Sequence, residues 1–330
     1  MGIGAQLGVK QETTYGTAVT VDKFFPFSGE ELEPEHKRID GANQRAGQLV
    51  LGKSQTEPYL IGAAGTITMD VITKDFGWWL KWAMGSLSSG SVSDSTYPHT
   101  CTLAATRPSF TAQVNREQAD GTDRVFTYEG CKIAKWSLEQ PKEGVLMFSA
   151  DVVAENYATA TSLEVASYTS GAEVFPSSLA YATVGGTATP VESWKVEVDN
   201  NLKTDRIFQR TSASGGPQRM EPLVQGRASI TWNATVNFDS LTNFNRFAAT
   251  TNAAMHTTLV FTSQGPTLLG ASTYPSVVTT IDSARVDSAK GSQARGAEAS
   301  FTLELAGVGT DDASDAPLTV LYSNSQSAFS

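Results

Sequence analysis

The 330-residue chain is poor in the side chains on which most enzyme and metal chemistry depends, with two cysteines and three histidines. Two thiols, Cys101 and Cys131, cannot build the disulfide framework of a stapled secreted fold, so both are expected to be small buried hydrophobes. Charge is scarce as well: Asp, Glu, Lys and Arg make up 18% of the chain, where about a quarter is usual. Basic residues number 24 against 34 acidic ones, a net charge of −10. That balance argues against a surface built to grip nucleic-acid phosphates, which needs clustered Lys and Arg. Hydrophobic runs are short, Val145-Leu146-Met147-Phe148 being typical, so no bilayer-spanning helix is expected. The opening MGIGAQLGVKQETTYG lacks a basic stretch followed by an apolar one. No signal peptide is therefore expected, and synthesis is placed in the cytoplasm.

Motifs for catalysis are missing too. No H-E-x-x-H, C-x-x-C or G-x-S-x-G occurs, and the Gly-Gly pairs at 185–186 and 215–216 lack the lysine of a phosphate loop. The histidines do not cluster: His36 sits in EELEPEHKR, whereas His99 and His256 each precede a strand-like run. Glu30, Glu31, Glu33 and Glu35 form an acidic cluster, but alternation along a strand spreads them over both faces, so a solvated strand is expected rather than a calcium site. Asn233-Ala-Thr matches a glycosylation triplet inside a strand-like run and is set aside. The expectation is no catalytic residue, no cofactor and no metal.

What the chain does have is period-two alternation over a 40% hydrophobic composition. Ile67, Met69 and Val71 alternate with polar residues, and Ile230, Trp232, Ala234 and Val236 do the same. Further runs are Phe110-Ala112-Val114, Leu146 to Val152, Trp194-Val196-Val198 and Phe301-Leu303-Leu305. The pattern is that of antiparallel sheets with one packed face. Helical spacing appears twice, each time after one of the two cleanest strands. Phe76, Trp79, Leu80 and Ala83 form one stripe, with Gly85 as its stop; Leu241, Phe244, Phe247 and Ala248 form the other, with Asp239 as its cap. Both stripes are expected to pack on their own sheets.

Strand, helix and strand recur in the same order at separations between 153 and 165 residues, which points to a duplicated unit. The expected organisation is an N-terminal arm (1–23), a first β unit (24–157), an irregular connection (158–190), a second β unit (191–306) and a C-terminal tail (307–330). Each unit holds a long polar interruption, at 38–62 and 206–226, too long for a hairpin loop and rich in Arg, Gln and Gly. These read as contact arms. Arg38, Arg45 and Gln48 in the first, and Arg206, Arg210, Arg219 and Glu221 in the second, are the candidate assembly contacts. Asp205 and Glu221 interrupt the second arm's arginines, which favours pairing with acids of a neighbouring subunit over nucleic-acid binding.

Several segments resemble the tail tube (major tail) proteins of long-tailed, non-contractile bacteriophages. They are GIGAQLGVKQETTYGTAV, FFPFSGEELEPEHKRID with QRAG, GTITMDV, KDFGWWLKWAMG, VEVDNNLKTDR and MEPLVQGRASITWNATVNFDSLTNFNRF, and the resemblance runs over most of 4–305. It implies a mainly β chain of two tandem tail-tube-like β-sandwich or barrel units, each flanked by one α-helix. It further implies a structural virion protein whose rings stack into a hollow tail tube, the conduit for DNA ejection. A duplicated chain would supply a pseudo-six-fold ring from three copies, with a true hexamer as the alternative. Implied partners are the chain itself, a tape measure protein, and tail terminator and distal tail proteins. DNA would pass without specific binding, and an acidic bore would repel its phosphates. Head-to-tail stacking generates a filament, and lateral pairing removes exposed strand edges. Two other readings stay open: a β-sandwich adhesion module, and a carbohydrate-active enzyme with paired carboxylates in a cleft.

Overall fold

The computed structural model describes residues 4–43, 46–47, 49–206, 219–238, 241–292, 302–312 and 315–329. Strands dominate, as the alternation predicts. The first half contributes β1 (Gln6–Gln11), β2 (Lys23–Phe25), β3 (Gly29–Glu30), β4 (Glu33–Asp40), β5 (Thr56–Asp70), α1 (Gly77–Met84), β6 (Gly85–Ser89), β7 (Tyr97–Leu103), β8 (Phe110–Glu117), β9 (Asp123–Gln140), β10 (Met147–Ala154) and β11 (Asn156–Ala158). Next come β12 (Ala180–Val184), β13 (Thr187–Thr189), β14 (Val191–Asp199), β15 (Ser229–Asn237), α2 (Thr242–Phe247), α3 (Asn252–Met255), β16 (His256–Gln264), β17 (Ser276–Ser292), β18 (Thr302–Thr310) and β19 (Leu318–Asn324).

All named pairings are antiparallel, and their order repeats. In the first half β4 pairs with β5, β5 with β10, β10 with β9 and β9 with β8. In the second, β14 pairs with β15, β15 with β18, β18 with β17 and β17 with β16. Even the irregularities agree. The β9–β10 ladder skips Ala134, and the β17–β18 ladder skips Asp287 at the corresponding step. Such bulges bend a strand and increase its local twist.

Two ladders join the halves. β14 lies against β9, from Trp194 opposite Gln140 to Asp199 opposite Lys135. β19 lies between β17 and β7, with Leu318, Val320 and Tyr322 fully buried. The tail expected to wait for a partner is thus a core strand of its own chain. Alternation at Leu318, Val320 and Tyr322 drives this, and Phe329 then packs edge-on against Trp78. The N-terminal arm behaves likewise: Leu7 and Val9 are buried where β1 pairs with β2 and β8. The connection at 158–190 holds β12 and β13 and buries Phe175.

One buried cluster gathers the apolar sides of the strands and of α1. Helix α1 ends at Gly85, whose φ of 90° is open to glycine and whose N–H reaches Lys81 O. Its rings interleave with the strands: Trp82 stacks on Phe110 at 4.5 Å between centroids, and Trp79 meets Phe25 edge-on at 5.7 Å. α2 also follows its strand, but Leu241, Phe244 and Phe247 remain exposed, so that stripe is not covered by its own sheet as expected. Asp239, its expected cap, lies outside the described residues. His99 and His256 do not occupy matched places either. His99 is buried within β7 between Ser89 and Asn324, while His256 opens β16 against Asn252 O.

Candidate assembly interface

Cross-strand partners share a face, so the β9–β14 seam has an apolar side and a polar side. Trp136, Leu138, Val196 and Val198 fill the first. On the second, Lys135 Nζ lies 3.2 Å from Asp199 Oδ2, and Lys195 Nζ lies 3.8 Å from Glu139 Oε2. Charges directly opposite one another across an antiparallel pair favour one register over its neighbours. Following the ladders outward, the same polar face carries Asp70, Asp151, Glu139, Glu197, Asp199 and Glu304 against Lys135, Lys195 and Lys290. The face is acidic.

A second contact reinforces the seam. Arg219, 3% exposed, donates from Nη1 to Ala63 O at 3.0 Å and Ala154 O at 2.9 Å, and from Nη2 to Glu35 Oε2. The arginine expected to reach a neighbouring subunit therefore binds its own chain, between the middle of β5 and the end of β10. Beside it Lys132 Nζ, also buried, lies 2.6 Å from Glu221 Oε1. Arg206 Nη1 donates to Glu221 O at 2.9 Å, and Arg206 O receives Met220 N–H at 2.9 Å. Burying cations is tolerable here because carbonyls and carboxylates replace water.

The anchor sits against a group of acids. Glu12 accepts N–H from Gly130 at 2.8 Å and the Thr111 hydroxyl at 3.0 Å. Burial first, and then Glu129, Glu12 and Glu221, push the Glu155 carboxyl up to about 7. Burial, helped by Glu155, raises the Tyr15 phenol as well. The sulfhydryls are inert packing groups: both are fully buried, and burial pushes Cys101 up to about 12.

Of the other candidate contacts, Arg38 is exposed on β4, which among the described residues pairs with β5 alone. Arg45, Gln48 and Arg210 lie outside the described residues. Within the first arm Leu49, Val50 and Leu51 are 99%, 80% and 47% exposed. Lys132, Glu155 and the Lys135–Asp199 pair escaped the sequence reading, and Glu35, read there as part of a solvated strand, is instead the partner of Arg219. Arg219 and Glu35 are 184 residues apart, and no local pattern reports such a pairing.

No group of three or more His, Cys, Asp and Glu side chains is arranged to hold a metal among the described residues. No helix there is long and apolar enough to cross a membrane. Searched against curated proteins, the chain finds no match. Compared with protein families, it matches one described as phage tail tube protein, over residues 2–319, from before β1 into β19. With the match spanning both halves and the seam between them, the chain belongs to the phage tail tube protein family.

Proposed function

We propose that this chain is a non-enzymatic structural protein of the virion, that three copies close into a pseudo-six-fold ring, and that the rings stack into the tube through which DNA leaves. The observation that carries the reading is the repeated pairing order, β4-β5-β10-β9 and β14-β15-β18-β17, fused side by side through β9 and β14. A chain built this way is already two ring positions. Its outer strand edges, β4 and the far half of β17, are the kind that must be covered or paired. The acidic face common to these strands lines the bore. There it repels duplex phosphates and leaves no counterion-release gain to hold the DNA. Tape measure, terminator and distal tail proteins then bound the tube's length and ends.

Electron microscopy of the purified protein at increasing concentration tests the proposal. Hollow tubes are the expected result, and a protein that stays monomeric at every concentration contradicts it. Tubes that retain duplex DNA in low salt would remove the acidic-bore component alone.

A further inference from the structure

We propose that the cleft between the loop after β7 and the segment before β15 is a carboxylate-binding site. Arg107 and Arg227 hold the carboxylate there, and Leu103, Val224 and Pro317 take the apolar body that carries it.

Three Lys and Arg side chains are buried among the described residues: Arg107, Lys132 and Arg219. Lys132 meets Glu221 and Arg219 meets Glu35. Arg107 forms no ion pair among the described residues. Its Nε donates to Ala83 O at 3.1 Å, its Nη1 to Ala104 O, and its Nη2 to Asn200 Oδ1 at 3.0 Å. All three acceptors are neutral. Ala83 lies in the last turn of α1, and a helix end carries about half a negative charge, so part of the cation is offset and the rest is not. Burial accordingly pushes the Arg107 guanidinium down to about 10.

A guanidinium offers five N–H donors in one plane. Three are used, which leaves one on each terminal nitrogen of Arg107 without a partner among the described residues. Asn200 is already committed, because its Nδ2 donates to Ala83 O at 2.9 Å and to Ile133 O at 3.0 Å. The two remaining donors match the two oxygens of a carboxylate.

Arg107 lines an open cleft of about 730 Å³, a size that suits a small organic ligand. Its position follows from the repeat. Ile67 faces Ala150 as Ala234 faces Leu305, which makes Ile230 and Gly309 the counterparts of Ala63 and Ala154. Arg219 closes that place in the first half, whereas in the second Ile230 and Gly309 are walls of the cleft. Arg227, exposed on the same wall, forms no ion pair among the described residues, and Asp311 beside it brings one negative charge. Two cations against one acid leave a single positive charge. A singly charged carboxylate balances it, and a doubly charged phosphate overshoots.

Calorimetric titration with benzoate, at an ionic strength held constant with chloride, tests the site. Saturable binding of one benzoate per chain is expected, tighter than that of inorganic phosphate. R227S should weaken it at least tenfold, and R124S, at an exposed position elsewhere, should leave it unchanged. R107K, which keeps the charge and loses the fork, should weaken it as well; should that variant not fold, R227S alone decides. Benzoate that also slows tube growth of the wild type but not of R227S would assign the carboxylate to an Asp or Glu side chain of a neighbouring protein. Binding with unaltered growth would assign it to a free organic acid. No saturable binding, equal binding by R227S, or tighter binding of phosphate would overturn the inference and leave the tube reading standing.

Discussion

Helices α1 and α2 follow corresponding strands and carry similar apolar stripes, yet only one is covered. Seven of the eight α1 residues are buried, with Phe25 of β2, Phe110 of β8 and the C-terminal Phe329 against its tryptophans. No residue of α2 is buried, and the rings of Phe244 and Phe247 meet edge-on with centroids 6.1 Å apart. The stripe reports that a helix has an apolar side. What lies on that side depends on strands far away in sequence, and among the described residues they cover only the helix of the first half. The anchors show the same asymmetry: the first half holds Arg219 in a closed site, while the second presents an open cleft.

The comparison breaks most visibly at the helices. Trp79→Ala should remove about 3–5 kcal/mol of stability by opening a core cavity, measured by denaturant unfolding. The equivalent truncation at Phe247 should change it by less than about 1 kcal/mol. Equal losses would mean that α2 is as well packed as α1. Next in size, Arg219→Ala should destabilise the isolated chain by about 3 kcal/mol, because Glu35 loses its buried partner. Lys53→Ala, at an exposed position of the first arm, should leave the isolated chain unchanged, a contrast readable by denaturant unfolding.

A smaller effect concerns Glu155, whose counterpart across the repeat is Thr310. Its carboxyl is raised to about 7 in the folded chain, so between its ordinary range and that value the folded state holds a proton that the unfolded state has released. Stability from this group is therefore full in acid, falls as pH rises toward about 7, and is flat above. Glu155→Gln should raise stability at pH 8 by about 1 kcal/mol, after allowance for the half-exposed site, and leave it unchanged near pH 4.5. Parallel pH profiles for the two proteins would contradict the assignment. Smallest of all, Phe244→Ser with Phe247→Ser should leave the unfolding midpoint within error while reducing binding of a hydrophobic dye.

Much of the strand pattern was legible in the sequence. Alternation located β5, β8, β10, β14 and β15, and the aromatic stripe with Gly85 located α1 and its stop. The termini misled because polar flanks hide short alternations: Leu318, Val320 and Tyr322 lie between DDASDA and SNSQS. The long arms were rightly marked as unusual, but spacing cannot say whether an arginine will find its acid in the same chain or in another. Arg219 found Glu35 at home. The acidic cluster likewise found cations in its own chain, Glu30 with Arg116 and Glu35 with Arg219.

Cryo-electron microscopy of assembled tubes, counting chains per layer, tests the central claim most directly. Two quasi-equivalent units per chain predict three chains and six near-identical lobes in each ring, with β4 of one chain beside β17 of the next. Six chains in a layer, each contributing one unit to the bore, would contradict it.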